Sequence, residues 1–229
     1  QKLKIDLLKI RGIFGSSNLT VKLLMPAFIA CVANRLGLRN ICCDQVGLGC
    51  SGGLQALKIA HNQAVIDYLD GKIGYYLVIV GDQIARILDP KDFGTSILFS
   101  DGVAAVIITN NPDEERGYKI ERIGTKSLLD DNLYALRLKN PHDSLNKLGG
   151  VPKLKMDGPR IFLFAVNSFL DILELVKLEK LGNETYFIPH QANLRIIEAI
   201  IQKNGLNPNH VYCDGIKTIG NTLNASTFF

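Results

Sequence analysis

The stretch Gln45-Val46-Gly47-Leu48-Gly49-Cys50-Ser51-Gly52-Gly53-Leu54 decides how this chain is read. Upstream, residues 40–46 are β-prone, and downstream residues 54–68 carry apolar positions at helical spacing. The segment therefore reads as strand, tight glycine turn and helix, with one cysteine at the helix start. Free backbone N–H groups and the helix dipole favour a thiolate there, so Cys50 is a candidate nucleophile. Its thiol is expected below the ordinary value of about 8.5, and Cys50 is expected to be the fastest of the cysteines to alkylate near neutral pH. The other reading open to Cys50 is a buried small hydrophobe. That second reading is the one given to Cys42 and Cys43, inside the strand, and to Cys31 and Cys213.

Outward from this turn, residues 26–36 read as a helix that Pro26 opens and Gly37 caps. Residues 5–10 form a short apolar strand, and residues 15–18 a loop. Residues 75–80 and 103–109 are continuous apolar strands, which points to a parallel or mixed sheet covered on both faces. The chain turns polar over residues 110–150, with one strand expected near 118–123. After Pro152 the alternation resumes: helix 159–178, strand 186–188, helix 194–203, a strand near 210–212 and a glycine turn at Gly220. The fold class is α/β. The expected organisation is a first half over residues 1–110, a connecting region over 111–150 and a second half over 151–229.

At 229 residues, with 47% hydrophobic and 21% charged residues, the chain can build a core without disulfide or metal staples. Lys and Arg number 26 against 22 Asp and Glu, a net charge of +4 spread along the chain, too little to argue for nucleic acid. No apolar run reaches the roughly 18 to 20 residues of a membrane span, and no secretory pattern opens the sequence. The five cysteines are odd in number and lack zinc spacing, which fits a reduced compartment and leads to the expectation of a cytoplasmic protein with no metal. The chain starts at Gln1 without Met and stops after a turn-rich segment, so it reads as cut at both ends.

Two more residues stand where chemistry is placed in α/β folds. His190 follows the apolar run at 186–188 and Pro189, at the expected C-terminal edge of a sheet, and Asn221 lies in the turn Gly220-Asn221-Thr222. Alone, each has an ordinary structural reading. The words around them alter it: Gly49-Cys50-Ser51-Gly52, Phe99-Ser100-Asp101-Gly102-Val103-Ala104-Ala105, Met156-Asp157-Gly158-Pro159-Arg160-Ile161-Phe162, Pro189-His190-Gln191-Ala192-Asn193 and Gly220-Asn221-Thr222. In this order they resemble β-ketoacyl-acyl-carrier-protein synthase III almost end to end.

The resemblance implies a thiolase-like five-layer α-β-α-β-α fold of two related halves, as a homodimer, here truncated at both ends. It implies Cys50 as acyl acceptor, with His190 and Asn221 opposite it as neutral N–H donors to an enolate. It also implies acyl transfer from a thioester to Cys50, then decarboxylative Claisen condensation with a malonyl carrier protein in fatty acid initiation. No cofactor is bound permanently; acyl-coenzyme A or acyl-carrier protein is the substrate, and acyl carrier protein the partner. Gly158, Phe162, Ala192, Asn193 and Ile196 are placed along the pantetheine tunnel, Arg195 at its mouth, and Met25 in the partner subunit's acyl pocket.

The sequence departs from the family pattern at Phe93, where an arginine that holds adenine is usual. It departs again at Leu223-Asn224, where two small residues are usual, and at Ser100 and Ala105, which replace glycines. Three other readings stay open: a secondary-metabolite synthase or acyltransferase of the same fold, a non-catalytic carrier-protein-binding partner, and a cysteine hydrolase. With Phe93 in place of arginine, acyl-carrier protein or a short pantetheine thioester should serve at least as well as acyl-coenzyme A, and Phe93→Arg should improve coenzyme A use. Rates with paired donors check this, and a wild-type preference for coenzyme A of about tenfold, some 1.4 kcal/mol, contradicts it.

Overall fold

Apolar strands need hydrogen-bonded neighbours and covering helices, and the four-stranded sheet of this chain has its strands paired and a helix packed on part of each face. A computed structural model describes residues 5–18, 26–127, 136–139 (backbone only), 153–177, 182 and 184–229. The chain divides into two compact units. The first comprises Gln1–Asp82, Gly102–Ile123 and Leu223–Phe229, and the second comprises Gln83–Asp101 and Gly124–Thr222.

In the first unit, β1 (Ile10–Ser16), β2 (Cys42–Val46), β3 (Tyr75–Asp82) and β4 (Gly102–Thr109) form a sheet in the order β2-β1-β3-β4. β1 runs parallel to β2 and β3, and β4 is antiparallel to β3, with Tyr75 opposite Thr109 and Asp82 opposite Gly102. Side chains alternate between faces. Phe14, Tyr76, Val78 and Val80 pack on Ala56, Ala60 and Ala64 of α2 (Gly52–Leu69), whose four-residue spacing presents a smooth ridge to the sheet. Ile13, Leu77 and Ile79 pack on Ile29 and Ala33 of α1 (Phe28–Arg35). Coverage is not complete, contrary to the sequence expectation: Val103, Ala105 and Ile107 of β4 are exposed on one face.

The first strand is Ile10–Ser16, not residues 5–10. Asp6 accepts the Leu8 N–H at 3.0 Å and caps a 3-10 turn over Leu7–Lys9, which delays the strand. The strand then runs through Gly15 into what the sequence suggested was a loop, because Gly15 marks a close approach: a Cβ there would lie 2.6 Å from the Ile79 carbonyl oxygen. A strand near 118–123 is not formed, and Tyr118 is fully exposed. At the far end of the sheet Asp67 accepts from Arg11 Nε at 2.8 Å, Tyr76 Oη at 2.8 Å and Gln63 Nε2 at 3.0 Å. Burial opposes the Asp67 charge, but these donors outweigh it and hold the carboxyl below its ordinary value.

The second unit holds α3 (Phe93–Ser96), β5 (Leu136–Lys139), β6 (Lys153–Met156), α4 (Gly158–Asn167), α5 (Phe169–Leu175), α6 (Leu194–Asn204) and α7 (Asp214–Thr218). β5 and β6 pair antiparallel. Phe169, Leu173, Ile196 and Ile200 make the core, with Phe162, Phe187 and Ala192 against it, and Phe169 meets Phe187 edge-on at 5.3 Å between ring centroids. The helix expected over 159–178 is two helices broken at Ser168, whose hydroxyl donates to the Phe164 carbonyl at 2.8 Å. The strands expected at 186–188 and 210–212 shrink to one parallel bridge, Phe187 to Val211.

At the start of α2, a Cβ on Gly53 would run into the Asn224 carbonyl oxygen and lie 2.7 Å from Phe228 Cε2. Gly53→Ala should therefore destabilise the fold by roughly 1–3 kcal/mol and lower the melting temperature by several degrees, because backbone must move to admit the methyl group. A thermal melt checks it, and an unchanged midpoint contradicts it.

Candidate active site

In the first unit, Cys50 sits in a 3-10 turn, Gly49–Ser51, that runs directly into α2. Gly49 has φ +56°, a left-handed conformation that glycine adopts without penalty, and this turns the chain from β2 into the helix. The Gly49 N–H donates to Asn18 Oδ1 at 2.8 Å. Asn18 is held in turn by Asp82 at the end of β3, which accepts its backbone N–H at 2.7 Å and its Nδ2 at 3.0 Å. The helix-start position does not produce the acidic thiol that the sequence suggested. Burial of the sulfur pushes the Cys50 thiol up to about 11; the Asp82 charge adds to this, and backbone hydrogen bonding lowers it by less.

Cys42 and Cys43 are exposed on β2 at the sheet edge, which corrects their reading as buried residues, and Cys31 and Cys213 are half-buried. A strand position implies burial only for an inner strand. With the Cys50 thiol protonated near neutral pH and two exposed cysteines available, fastest alkylation of Cys50 is no longer the expectation.

In the second unit, His190 follows the Phe187 bridge, and both ring nitrogens are buried without a hydrogen-bond partner. Burial pushes its imidazole down to about 4, so it is neutral near pH 7. The turn around it is clamped by Gln191, which is 1% exposed. Gln191 Nε2 donates to the carbonyls of Pro189 at 2.9 Å and Tyr212 at 3.1 Å, and its Oε1 accepts the Ile216 N–H at 3.1 Å. Asn221, also buried, donates from Nδ2 to the Ala192 carbonyl at 3.4 Å, while the Ala192 N–H donates to the His190 carbonyl at 2.8 Å. The Asn221 amide thus donates to a carbonyl two residues along the chain from His190, although the two residues stand on separate turns.

Gly220, φ +93°, aims Asn221. Ser100 ties that turn down by donating to the Ile219 carbonyl at 2.6 Å, and its N–H donates to the Asn221 carbonyl at 3.0 Å. Gln191 was visible only as a letter in a motif. Its role depends on the Tyr212 carbonyl and the Ile216 N–H, 21 and 25 residues away, which no local signal reveals.

Among the residues expected along a carrier-arm tunnel, Phe162, Ala192 and Ile196 belong to the core around Phe169. Asn193 caps α6, its Oδ1 accepting the Arg195 N–H at 2.9 Å, and Arg195 is exposed in the first helical turn. Gly158 starts α4, with only Met156 Cε, at 3.9 Å, near the place of a Cβ. Phe93 is 71% exposed at the start of α3, which Asp92 caps. Met25 lies outside the described residues. Among the described residues no helix is long and apolar enough to cross a membrane, and no group of three His, Cys, Asp or Glu could hold a metal.

Comparison with solved structures defines the class: the fold is that of the thiolase-like ketosynthases. The priming β-ketosynthase of the R1128 polyketide biosynthetic pathway matches 97% of this chain with a TM-score of 0.79 and 26% identity, over 65% of its own length. The β-ketoacyl-[acyl carrier protein] synthase III of Thermus thermophilus matches 96% with a TM-score of 0.74 and 26% identity, over 67% of its length.

Models of 3-oxoacyl-[acyl-carrier-protein] synthase III and of its C-terminal part match residues 45–127 and 180–229, more than half of the sequence, and the chain belongs to this family. β-Ketoacyl-[acyl-carrier-protein] synthase III of Pectobacterium atrosepticum is 33% identical over 205 residues, and that of Laribacter hongkongensis 35% identical over 212. These alignments cover 88% and 90% of this chain, which spans 61% of the length of either relative.

An unfolded imidazole takes its proton near 6.5, whereas His190 stays neutral down to about 4. Between these values the unfolded chain binds more protons, so the stability from this site is fully present above about 6.5 and is lost as pH falls toward 4. An NMR titration should place the His190 midpoint near 4, with the melting temperature falling over the same window. A midpoint at or above about 6 contradicts the burial argument.

Proposed function

We propose that this chain carries out the reaction of a β-ketoacyl-acyl-carrier-protein synthase III: acyl transfer from a thioester to Cys50, then condensation with a malonyl carrier protein in fatty acid initiation. The observation that carries the reading is His190, whose two ring nitrogens are buried, unpartnered and uncharged in a clamped turn to which Asn221 donates a hydrogen bond. A buried polar group left without a partner costs free energy, and a substrate oxygen that accepts from it recovers that cost.

In the first half-reaction the Cys50 sulfur attacks the thioester carbonyl and the donor's C–S bond breaks, so the donor leaves as a free thiol with the proton that Cys50 gave up. In the second, the malonyl C–C bond to its carboxylate breaks and carbon dioxide leaves. The remaining electron pair attacks the acyl carbonyl, a C–C bond forms, and the bond to Cys50 breaks. Neutral His190 and the Asn221 amide each offer an N–H to the enolate oxygen of this step. Acyl-coenzyme A or acyl-carrier protein brings the acyl group, and no permanent cofactor takes part. Phe162, Ala192, Asn193, Ile196, Gly158 and Arg195 are assigned to the carrier arm, and the exposed start of β2 at the sheet edge supports a homodimer. The compartment assigned to it is the cytoplasm.

A second reading, a priming synthase of a secondary-metabolite pathway, is favoured by the exposed Phe93 and by the likeness to the R1128 priming ketosynthase. Intact-mass and decarboxylation assays test the first. His190→Ala or Asn221→Ala should leave Cys50 acylation largely intact and reduce malonyl decarboxylation by about 100-fold or more, whereas Cys50→Ala should abolish acylation. Loss of acylation in both the His190 and Asn221 variants would favour a hydrolase.

A further inference from the structure

Asp82 ends β3 and is 4% exposed, yet its carboxylate gathers donors from residues that include Ser17, Asn18 and Asn224. Oδ1 accepts the Asn18 N–H at 2.7 Å and Ser17 Oγ at 3.3 Å; Oδ2 accepts Asn18 Nδ2 at 3.0 Å and Asn224 Nδ2 at 2.6 Å. Asn18 passes this order on. Its Oδ1 takes the Gly49 N–H at 2.8 Å, one residue before Cys50, and its Nδ2 reaches the Gly49 carbonyl at 3.5 Å. On the other side Asn224, 1% exposed, spends one amide hydrogen on Asp82 and leaves its Oδ1 without a partner.

A buried carboxylate is costly to desolvate, and a negative charge beside a nucleophile disfavours its thiolate. Packing alone would favour an apolar residue here, so the retained carboxylate calls for another role. We propose that Asp82 is a positioning residue for Cys50, acting through Asn18 on the Gly49 amide and braced by Asn224. The proposal rests on the reading of Cys50 as acyl acceptor.

Among the described residues Asp82 is the charged group whose field acts on the Cys50 thiol. The same contacts that aim the sulfur therefore also keep it protonated at rest. Position and resting charge are linked through one carboxylate and can be separated by substitution.

The test follows Cys50 alkylation by iodoacetamide across pH, read by peptide mass spectrometry, alongside acylation by an acyl thioester and a thermal melt. Asp82→Asn should lower the alkylation midpoint by about one pH unit and still slow acylation by about tenfold, since more thiolate does not compensate for a misplaced sulfur. Asp82→Glu should restore the midpoint. Asn18→Ala, on an exposed loop residue, should leave the midpoint in place and slow acylation by about threefold. A folded Asp82→Asn protein with both midpoint and acylation unchanged overturns the proposal. If that variant shows no melting transition, Asn18→Ala decides, and wild-type acylation in it overturns the proposal. Iodoacetamide reports on Cys50 whether or not a thioester does. A wild type that no thioester acylates overturns the functional reading alone, and the midpoint in Asp82→Asn still decides the link between Asp82 and Cys50.

Discussion

At the start of α2 the backbone of Gly52 and Gly53 lies where no side chain fits: a Cβ on the first would collide with Ser16 Oγ, and on the second with the Asn224 carbonyl. That contact joins the end of β1, the head of the helix and the buried segment at Leu223–Ala225. It also fixes where α2 begins, and therefore where the preceding turn holds Cys50. The rest of the helix follows from this seat, since Ala56, Ala60 and Ala64 lie flat on the sheet only while its first turn is close-packed.

Desolvation is the shared electrostatic theme. Cys50 and His190 are both driven to their uncharged forms by burial, one thiol upward and one imidazole downward. A neutral imidazole can donate an N–H to an oxygen without bringing a positive charge with it. Elsewhere the chain treats buried charge differently. Asp67 remains ionised because Arg11, Tyr76 and Gln63 all donate to it.

Much of this was legible in the order of residues. The glycine turn before α2, the glycine turn at Gly220 and the strand that opens at Tyr75 are local features with local causes, and the turn residues state them directly. The motif words around Cys50, His190 and Asn221 carried the family with them. Misreadings arose where a residue's local meaning differs from its tertiary one. Gly15 looked like a loop residue and is a close contact in a strand; Ser168 looked like helix interior and breaks it; Cys42 and Cys43 looked buried and lie on an edge.

The sequence by itself determined the class of fold, the family and the candidate reacting groups, because turn chemistry, hydrophobic period and motif spacing are properties of neighbours along the chain. Tertiary structure alone decided the protonation of Cys50 and His190, the clamp that Gln191 makes across Pro189, Tyr212 and Ile216, and the line from Asp82 through Asn18 to Gly49. The physical reason is that solvation and hydrogen-bond partnership depend on what surrounds a group in space, and residues 64 positions apart, such as Asn18 and Asp82, share that surrounding only after the chain has folded.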